Sequence, residues 1–307
     1  DRLLSFPFES MSPFLNLLKE ASKDPNVISI KITIYRLARK AKLVEYLCNA
    51  AEHGKDVTVF IELRARFDEQ NNIDWSERPE DAGCTVFYGF ENYKIHSKIC
   101  LITRRERGEI QYITQVGTGN YNEKTAEQYT DVSLLTADPG IGQDAVEFFK
   151  NMSIGELDGE YKHLLVSPYS LKRTVLRLMD EEIAKGPFGR MKFKINSLTD
   201  IDIIEKLREA SRAGVHIDMV VRGICCILPG IPGETDNIHI VSIVGRFLEH
   251  SRIYIFGEGP SQKMYISSAA FMPRNPQRRV ETACPTYAHA LPANIHRTMD
   301  HRLADTG

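Results

Sequence analysis

One ordered set of features occurs twice in this chain, and that duplication limits its possible folds more than anything else in the sequence. In the first copy Val27 to Tyr35 is rich in β-branched residues and reads as a strand. Leu43 to His53 has the apolar spacing of a helix, Gly54 supplies its stop, and Val57 to Leu63 reads as a second strand. After residue 190 the order returns, with Lys192 to Asn196 as a strand, Ile203 to Ala213 as a helix, Gly214 as its stop and Ile217 to Val221 as the next strand. The segments downstream of each copy match more specifically. The first copy continues with His96-Ser97-Lys98, a strand-like run, Gly117-Thr118-Gly119-Asn120, and Asp131 fourteen residues after Gly117. The second continues with His250-Ser251-Arg252, a strand-like run, Ser267-Ser268-Ala269-Ala270, and Glu281 fourteen residues after Ser267. Two copies of one α/β unit are therefore predicted, each with a mixed or parallel sheet covered by helices. At 307 residues the chain has room for two cores. We place the boundary near Ser167-Pro168, giving units 1–166 and 167–307, between the helix-like stretch Ile141 to Met152 and that from Tyr169 to Ala184.

Bulk properties narrow the function classes. A net charge of -2 excludes a uniformly basic nucleic-acid binder, so a polyanion site has to be a local concentration of cations, and nucleic acid is not an expected partner. The six cysteines show no Cys-x-x-Cys spacing and lie mostly in apolar runs, which predicts reduced core thiols rather than a zinc site or a disulfide frame. No apolar run approaches the ~18 residues that a bilayer crossing needs. The opening Asp1-Arg2-Leu3-Leu4 lacks the basic-then-apolar pattern of a signal, so a cytoplasmic location is expected. The first residue is not methionine, and the expectation is a fragment of a longer protein.

The repeated residues suggest phosphoryl chemistry. A histidine and a lysine two residues apart on a strand present both side chains on one face, suiting an imidazole that attacks phosphorus while an ammonium holds a non-bridging oxygen. Gly117 to Asn120 offers a turn whose N–H groups and Asn120 amide can donate to phosphate oxygens. Asp131 is expected to accept the second ring N–H of His96 and so fix its tautomer, with Glu281 in the corresponding place of the second copy. A Gly-Thr-Gly-Asn stretch alone is a plain turn more often than a site, and Arg104 to Arg107 reads as a solvated hairpin tip. Arg36 ends the first strand, Arg64 and Arg66 follow the next, and Arg222 ends the matching strand of the second copy, where open α/β sheets place ligands. Guanidinium forks clamp phosphate oxygens in pairs; the plainer reading is surface pairing with Glu62, Asp68 or Glu69.

Several stretches resemble the C-terminal catalytic half of the large bacterial polyphosphate kinases, the histidine-phosphorylating family of the phospholipase D-like superfamily. They include Ile32 to Arg36, Glu62 to Glu69, Lys94 to Lys98, Gly117 to Ala126, Tyr129 to Asp131, Val221 to Gly223 and Leu248 to His250, and they run to about Pro285. The resemblance implies two tandem phospholipase D-like α/β domains related by a pseudo-two-fold, with the site in the cleft between them. It implies that His96 takes the terminal phosphoryl group of ATP and passes it reversibly to polyphosphate, with Lys98, Asn120, Asp131 and Glu281 in support. His250 is implied as the partner histidine, Tyr129 and Arg222 as nucleotide contacts, and Arg36 and Arg66 as holding the phosphates that carry Mg²⁺. It further implies ATP, ADP and inorganic polyphosphate as partners and N-terminal domains outside this chain, with homo-oligomerisation of the full-length protein; peripheral membrane association is compatible with it. Three departures stand out. Thr103 replaces the family's aspartate five residues after the lysine, Arg252 replaces the second lysine, and Ala270 stands where an aspartate is common. The first leaves the supporting carboxylate to come from elsewhere, with Asp131 the candidate; the other two make the second copy the non-nucleophilic one, and the tail after Pro285 is expected to carry no site residue. The alternatives are a phospholipase D-like phosphodiesterase using the same histidines and a non-catalytic polyanion-binding module.

Overall fold

The computed structural model describes residues 1–35, 40–63, 77–273, 278–287 and 290–304. Its first half runs β1 (Arg2–Phe6), α1 (Ser12–Ala21), β2 (Val27–Ile34), α2 (Lys42–Glu52), β3 (Asp56–Ile61), β4 (Thr85–Tyr88), β5 (Tyr93–Ile95), β6 (Ile99–Glu106), β7 (Glu109–Gly117), α3 (Glu123–Ala126), β8 (Tyr129–Thr136) and α4 (Pro139–Ser153). The second half runs β9 (Leu165–Ser167), α5 (Ser170–Ile183), β10 (Arg190–Ile195), α6 (Ile201–Arg212), β11 (His216–Val221), β12 (Ile238–Val241), β13 (Leu248–Glu249), β14 (Arg252–Phe256), β15 (Lys263–Ser267), β16 (Arg278–Pro285) and α7 (Ala290–Ala304). The predicted strands and helices of both copies are present. The apolar runs form central strands because a strand covered on both faces needs apolar side chains at nearly every position. In β2, Ile30, Ile32, Thr33 and Ile34 are all fully buried.

The first sheet has the order β1-β8-β7-β6-β2-β3-β4, and the second repeats its core as β12-β11-β10-β14-β15-β16. In each, a run of three parallel strands (β2, β3 and β4; β10, β11 and β12) is joined to antiparallel neighbours through β2 and β10. Helices α2 and α6 make the parallel crossovers and end as predicted, at Gly54 (φ 82°) and Gly214 (φ 91°), left-handed positions that favour glycine. The Arg104 to Arg107 segment is a hairpin tip: Glu106 pairs with Glu109 across Arg107 and Gly108, whose φ values of 51° and 84° suit a tight two-residue turn.

Three layers of core hold the sheets. One packs α1 and α2 against the outside of the first sheet, through Phe14, Leu18, Leu43 and Leu47. Another packs α5 and α6 against the outside of the second, through Val175, Leu178, Ile203 and Leu207. The middle core draws on both sheets at once, with Ile99, Leu101 and Val116 from one and Ile253, Ile255 and Ile266 from the other. Phe148 and Phe149 of α4 and Ile295 and Met299 of α7 complete it. Cys48, Cys84, Cys100 and Cys284 are buried free thiols, whereas Cys226 is exposed. No helix among the described residues is long and apolar enough to cross a membrane.

Two short strands leave their own copy. β5, immediately before His96, pairs in parallel with β16 of the second sheet, with Ile95 opposite Val280. β13, immediately before His250, pairs in parallel with β8 of the first sheet, with Glu249 opposite Thr130. This reciprocal exchange positions the site.

Candidate active site

Past the end of each exchanged strand the chain continues into the other copy's hydrogen-bonding frame. The N–H groups of His96 and Ser97 both donate to the carbonyl of Val280 at 2.9 Å, and the N–H of Ser251 donates to the carbonyl of Thr130 at 2.8 Å. His96 is thereby set beside Glu281, and His250 beside Asp131. The carboxylates are exchanged relative to the expectation that Asp131 serves His96. Asp131 instead accepts from Nδ1 of His250, at 2.8 Å to Oδ1 and 3.0 Å to Oδ2, while Nδ1 of His96 contacts Oε1 of Glu281. The physical reason is the strand exchange: each carboxylate sits on the strand that receives the other copy's histidine segment.

Lys98 also departs from expectation. The His96-Ser97-Lys98 stretch lies between β5 and β6 rather than within a strand. The Lys98 ammonium folds back to donate to the His96 carbonyl, 5.3 Å from the centre of the Tyr35 ring. Lys98 is 1% exposed; burial holds its pKa well below the usual lysine range, with Glu281 opposing that and Arg252 and Arg279 adding to it.

His96 is buried, and burial, followed by the positive charges of Lys98, Arg279 and Arg252, holds its pKa well below 6.5. It is a neutral imidazole at physiological pH. A carboxylate can only accept, so Nδ1 carries the proton toward Glu281 and Nε2 keeps the lone pair. The Tyr35 ring packs edge-on at 5.0 Å and fixes the plane of the imidazole.

His250 is arranged differently. Burial, only partly opposed by Asp131, pulls its pKa down to about 4. Arg252 places Nη1 3.2 Å from its Nε2 and donates to the Thr118 carbonyl at 3.3 Å. Burial alone would raise the Asp131 carboxyl, but His250, the Thr118 hydroxyl (2.7 Å from Oδ1) and Arg252 hold it below its ordinary value. Gly119 is required here: a Cβ would come within 2.2 Å of Asp131 Oδ2. The Tyr129 ring lies 5.3 Å from that of His250, and Arg222 Nη1 donates to the Glu249 carbonyl at 3.2 Å, so both flank this histidine. Asn120 follows Gly119, and its buried Oδ1 accepts no hydrogen bond from a described residue. Arg36 and Arg66 lie outside the described residues.

The fold also brings in several groups that the sequence motifs do not include. Arg279 stands opposite Lys94 on paired strands, and both, with Glu281, line a cavity of about 270 Å³. Lys194 and Glu249 flank the His250 segment, and Arg302 of α7 donates to Glu249 at 2.7 Å, although no site residue is expected in the tail. The spacing of basic residues around β16 could have flagged Arg279; no motif marks the others.

A cluster of two neutral histidines, each backed by a carboxylate and surrounded by buried cations, is suited to hold a polyanion and present an imidazole nitrogen to it. The chain matches the family models described as polyphosphate kinase C-terminal domain 1, over residues 1–158, and C-terminal domain 2, over residues 164–307. It is 45% identical to a polyphosphate kinase of Staphylococcus haemolyticus over 99% of this chain and 43% of that protein. The crystal structure of a Porphyromonas gingivalis polyphosphate kinase superposes with a TM-score of 0.88 at 37% identity, over 99% of this chain and 50% of that one. A phosphatidylserine synthase of Haemophilus influenzae shares the fold, with a TM-score of 0.64 at 11% identity over 98% of this chain and 86% of that one. This chain spans less than half the length of the Staphylococcus relative. The duplicated α/β architecture and both family matches lead to one assignment: the chain belongs to the polyphosphate kinase family, of which it holds C-terminal domains 1 and 2.

Proposed function

We propose that this chain is the catalytic part of an ATP:polyphosphate phosphotransferase that works through a phosphohistidine on His96. The observation that carries the reading is the contact of His96 Nδ1 with Glu281 beside the buried cations Lys98 and Arg252, which leaves the Nε2 lone pair of a neutral imidazole for attack. In the first step the Nε2 lone pair forms the P–N bond to the terminal phosphorus of ATP, and the bond to the bridging oxygen breaks, with ADP leaving with the electron pair. In the second, a terminal oxygen of polyphosphate attacks that phosphorus and the P–N electrons return to Nε2. Splitting the transfer means that only one polyanion at a time has to approach the nucleophile. Glu281 holds the tautomer and balances the positive imidazolium as it forms, and Lys98, Arg252 and Arg279 balance the phosphoryl charge.

His250, also neutral, offers a base or a phosphate contact; an arriving phosphate raises its proton affinity by bringing negative charge beside it. Tyr129 and Arg222 are read as nucleotide contacts and Asn120 as a phosphate donor. Arg36 and Arg66 are read as holding the phosphates that bring in magnesium. Among the described residues no three His, Cys, Asp or Glu side chains converge into a cation cage, and magnesium is assigned to the nucleotide substrate that carries it. The location that fits these substrates is the cytoplasm.

The test is incubation of the full-length protein with γ-³²P-ATP and Mg²⁺. The expected result is acid-labile, base-stable label on His96 that added polyphosphate discharges, and its loss in His96→Ala. Equal labelling of His96→Ala would overturn the assignment, and hydrolysis of phosphodiesters without ATP would favour the diesterase reading.

A further inference from the structure

The segment carrying His250 is held by a buried ionic cluster that takes no part in the two transfer steps. Lys194 of β10 is 1% exposed and donates to the carbonyl of Ser251 at 3.0 Å, to its hydroxyl at 2.8 Å, and lies 3.1 Å from Glu249 Oε2. The same carboxylate oxygen accepts from Thr130 Oγ1 at 3.0 Å and from Arg302 Nε at 2.7 Å. The residues on both sides of His250 are thus anchored to one charge cluster, one arm of which comes from the C-terminal helix α7.

The first copy holds its segment with a different set of groups. There Thr33, at the end of β2, occupies the place of Lys194 and donates to the carbonyl of Ser97 at 2.8 Å. Ile95 stands where Glu249 stands, fully buried. Glu62 accepts from the Ile95 N–H at 3.0 Å and Lys98 donates to the His96 carbonyl, so the charges there bond backbone, whereas Lys194 and Glu249 bury an ammonium against a carboxylate, which is expensive unless geometry is exact enough to recover it. The second copy's cluster also reaches further: through Arg302 it ties the His250 segment to a helix whose Ile295 and Met299 are fixed in the middle core.

We infer that Lys194, Glu249 and Arg302 form a positioning clamp that holds His250 in register with Asp131, making α7 a working part of the site. The inference rests on the reading of His250 as the second histidine of phosphoryl transfer. Lys194, Glu249 and Arg302 are positioning residues, acting through the backbone of residues 249 to 251. Fixing that backbone fixes the distance from the ring to the Asp131 carboxylate, and displacements of ~1 Å in such supporting groups cost ~10- to 100-fold in turnover.

The experiment uses the full-length protein with Arg302→Ala, Arg302→Lys, Glu249→Gln and, as control, Asp300→Ala. Asp300 also ties α7 to β10, through Lys192 at 2.9 Å, without touching Glu249. Two readouts are taken: steady-state kinetics, and the pH midpoint of carbethoxylation of His250 and His96 by diethyl pyrocarbonate, resolved by peptide mass spectrometry. Arg302→Ala is expected to lower kcat ~10- to 100-fold with KM for ATP changed less than about twofold. It should also raise the His250 midpoint by about one pH unit as water reaches the ring, with the His96 midpoint unmoved and Arg302→Lys restoring part of both. Asp300→Ala should leave both readouts near wild type. Equal losses in Arg302→Ala and Asp300→Ala with an unmoved His250 midpoint would reduce the cluster to helix docking and overturn the clamp. An Arg302→Ala protein indistinguishable from wild type would do the same. If Arg302→Ala does not fold, Glu249→Gln and Arg302→Lys give the reading by the same two measurements. If the wild-type enzyme acquires no phosphohistidine, the proposed function has failed, while the carbethoxylation midpoints still decide the clamp.

Discussion

The two copies hold equivalent histidines by different chemistry. In the first, Thr33 and the Glu62 carboxylate hold the backbone on either side of His96, and Lys98 turns its ammonium to the His96 carbonyl. In the second, Lys194, Glu249 and Arg302 support the segment ionically, and Arg252 brings a guanidinium within 3.2 Å of the Nε2 of His250. One imidazole has its outer nitrogen left for attack, and the other has its outer nitrogen beside a fixed cation. On the proposed function, the residues around the histidines are what divide a duplicated unit into a nucleophile and a partner, a histidine backed by a carboxylate being common to both.

The comparison is broken most severely by exchanging the carboxylates' chemistry. Glu281→Gln replaces an acceptor-only carboxylate with an amide that can turn a donor toward Nδ1 and favour the other His96 tautomer, and phosphohistidine formation from ATP should slow by ~10²- to 10⁴-fold. Asp131→Asn should act mainly on discharge into polyphosphate, with labelling reduced far less. Rapid-quench measurement of the two half-reactions separates these outcomes; identical defects in both variants would mean that the two histidines do not have separate roles.

Acid sharpens it next. His250 takes up its proton at about 4 in the folded protein and near its ordinary 6.5 once unfolded. Between those values the unfolded chain binds more protons, so stability rises with pH and is lost as pH falls from 6.5 toward 4. The shift is worth on the order of 3 kcal/mol for this buried group, and His96 moves in the same direction. Denaturant melts from pH 7 to 4 should show this slope and a flatter one for His250→Asn.

The smallest expected effect concerns the turns. Gly119→Ala drives a methyl group into Asp131 and should cost about 1–3 kcal/mol together with part of the His250-dependent turnover. The second copy already has Ala269 at the corresponding place, so Ala269→Gly should be milder. Thermal melts of the two variants side by side check this.

Much of this molecule is legible in its sequence because the signals are local. The strand–helix–glycine–strand order of each copy depends on periodicity within about ten residues, and those elements lie where the periodicity puts them. The fourteen-residue spacings likewise identify Asp131 and Glu281. Which histidine each carboxylate serves is not legible, because β5 and β13 are too short, at 3 and 2 residues, to carry a pattern. Their partners lie far along the chain, and Asp131 and His250 are 119 residues apart. The same holds for Arg302: a single arginine in a helical tail has no motif, and its meaning depends on Glu249, 53 residues earlier. The lysine of His96-Ser97-Lys98 misleads for a related reason. Alternation along a strand predicts its direction only if the strand continues, and here it ends at Ile95.

The reciprocal strand exchange also governs when the protein becomes reactive. Glu281 lies 185 residues beyond His96, and β5 has no partner strand until β16 has been made. Chains emerge from the ribosome N-terminal end first, and contacts this distant in sequence close late in folding. A nascent or truncated first half therefore carries an unarmed histidine, without the carboxylate that sets its tautomer. On the proposed function, competence to accept a phosphoryl group then requires both halves to be complete and docked, and the order of synthesis itself delays reactivity until they are.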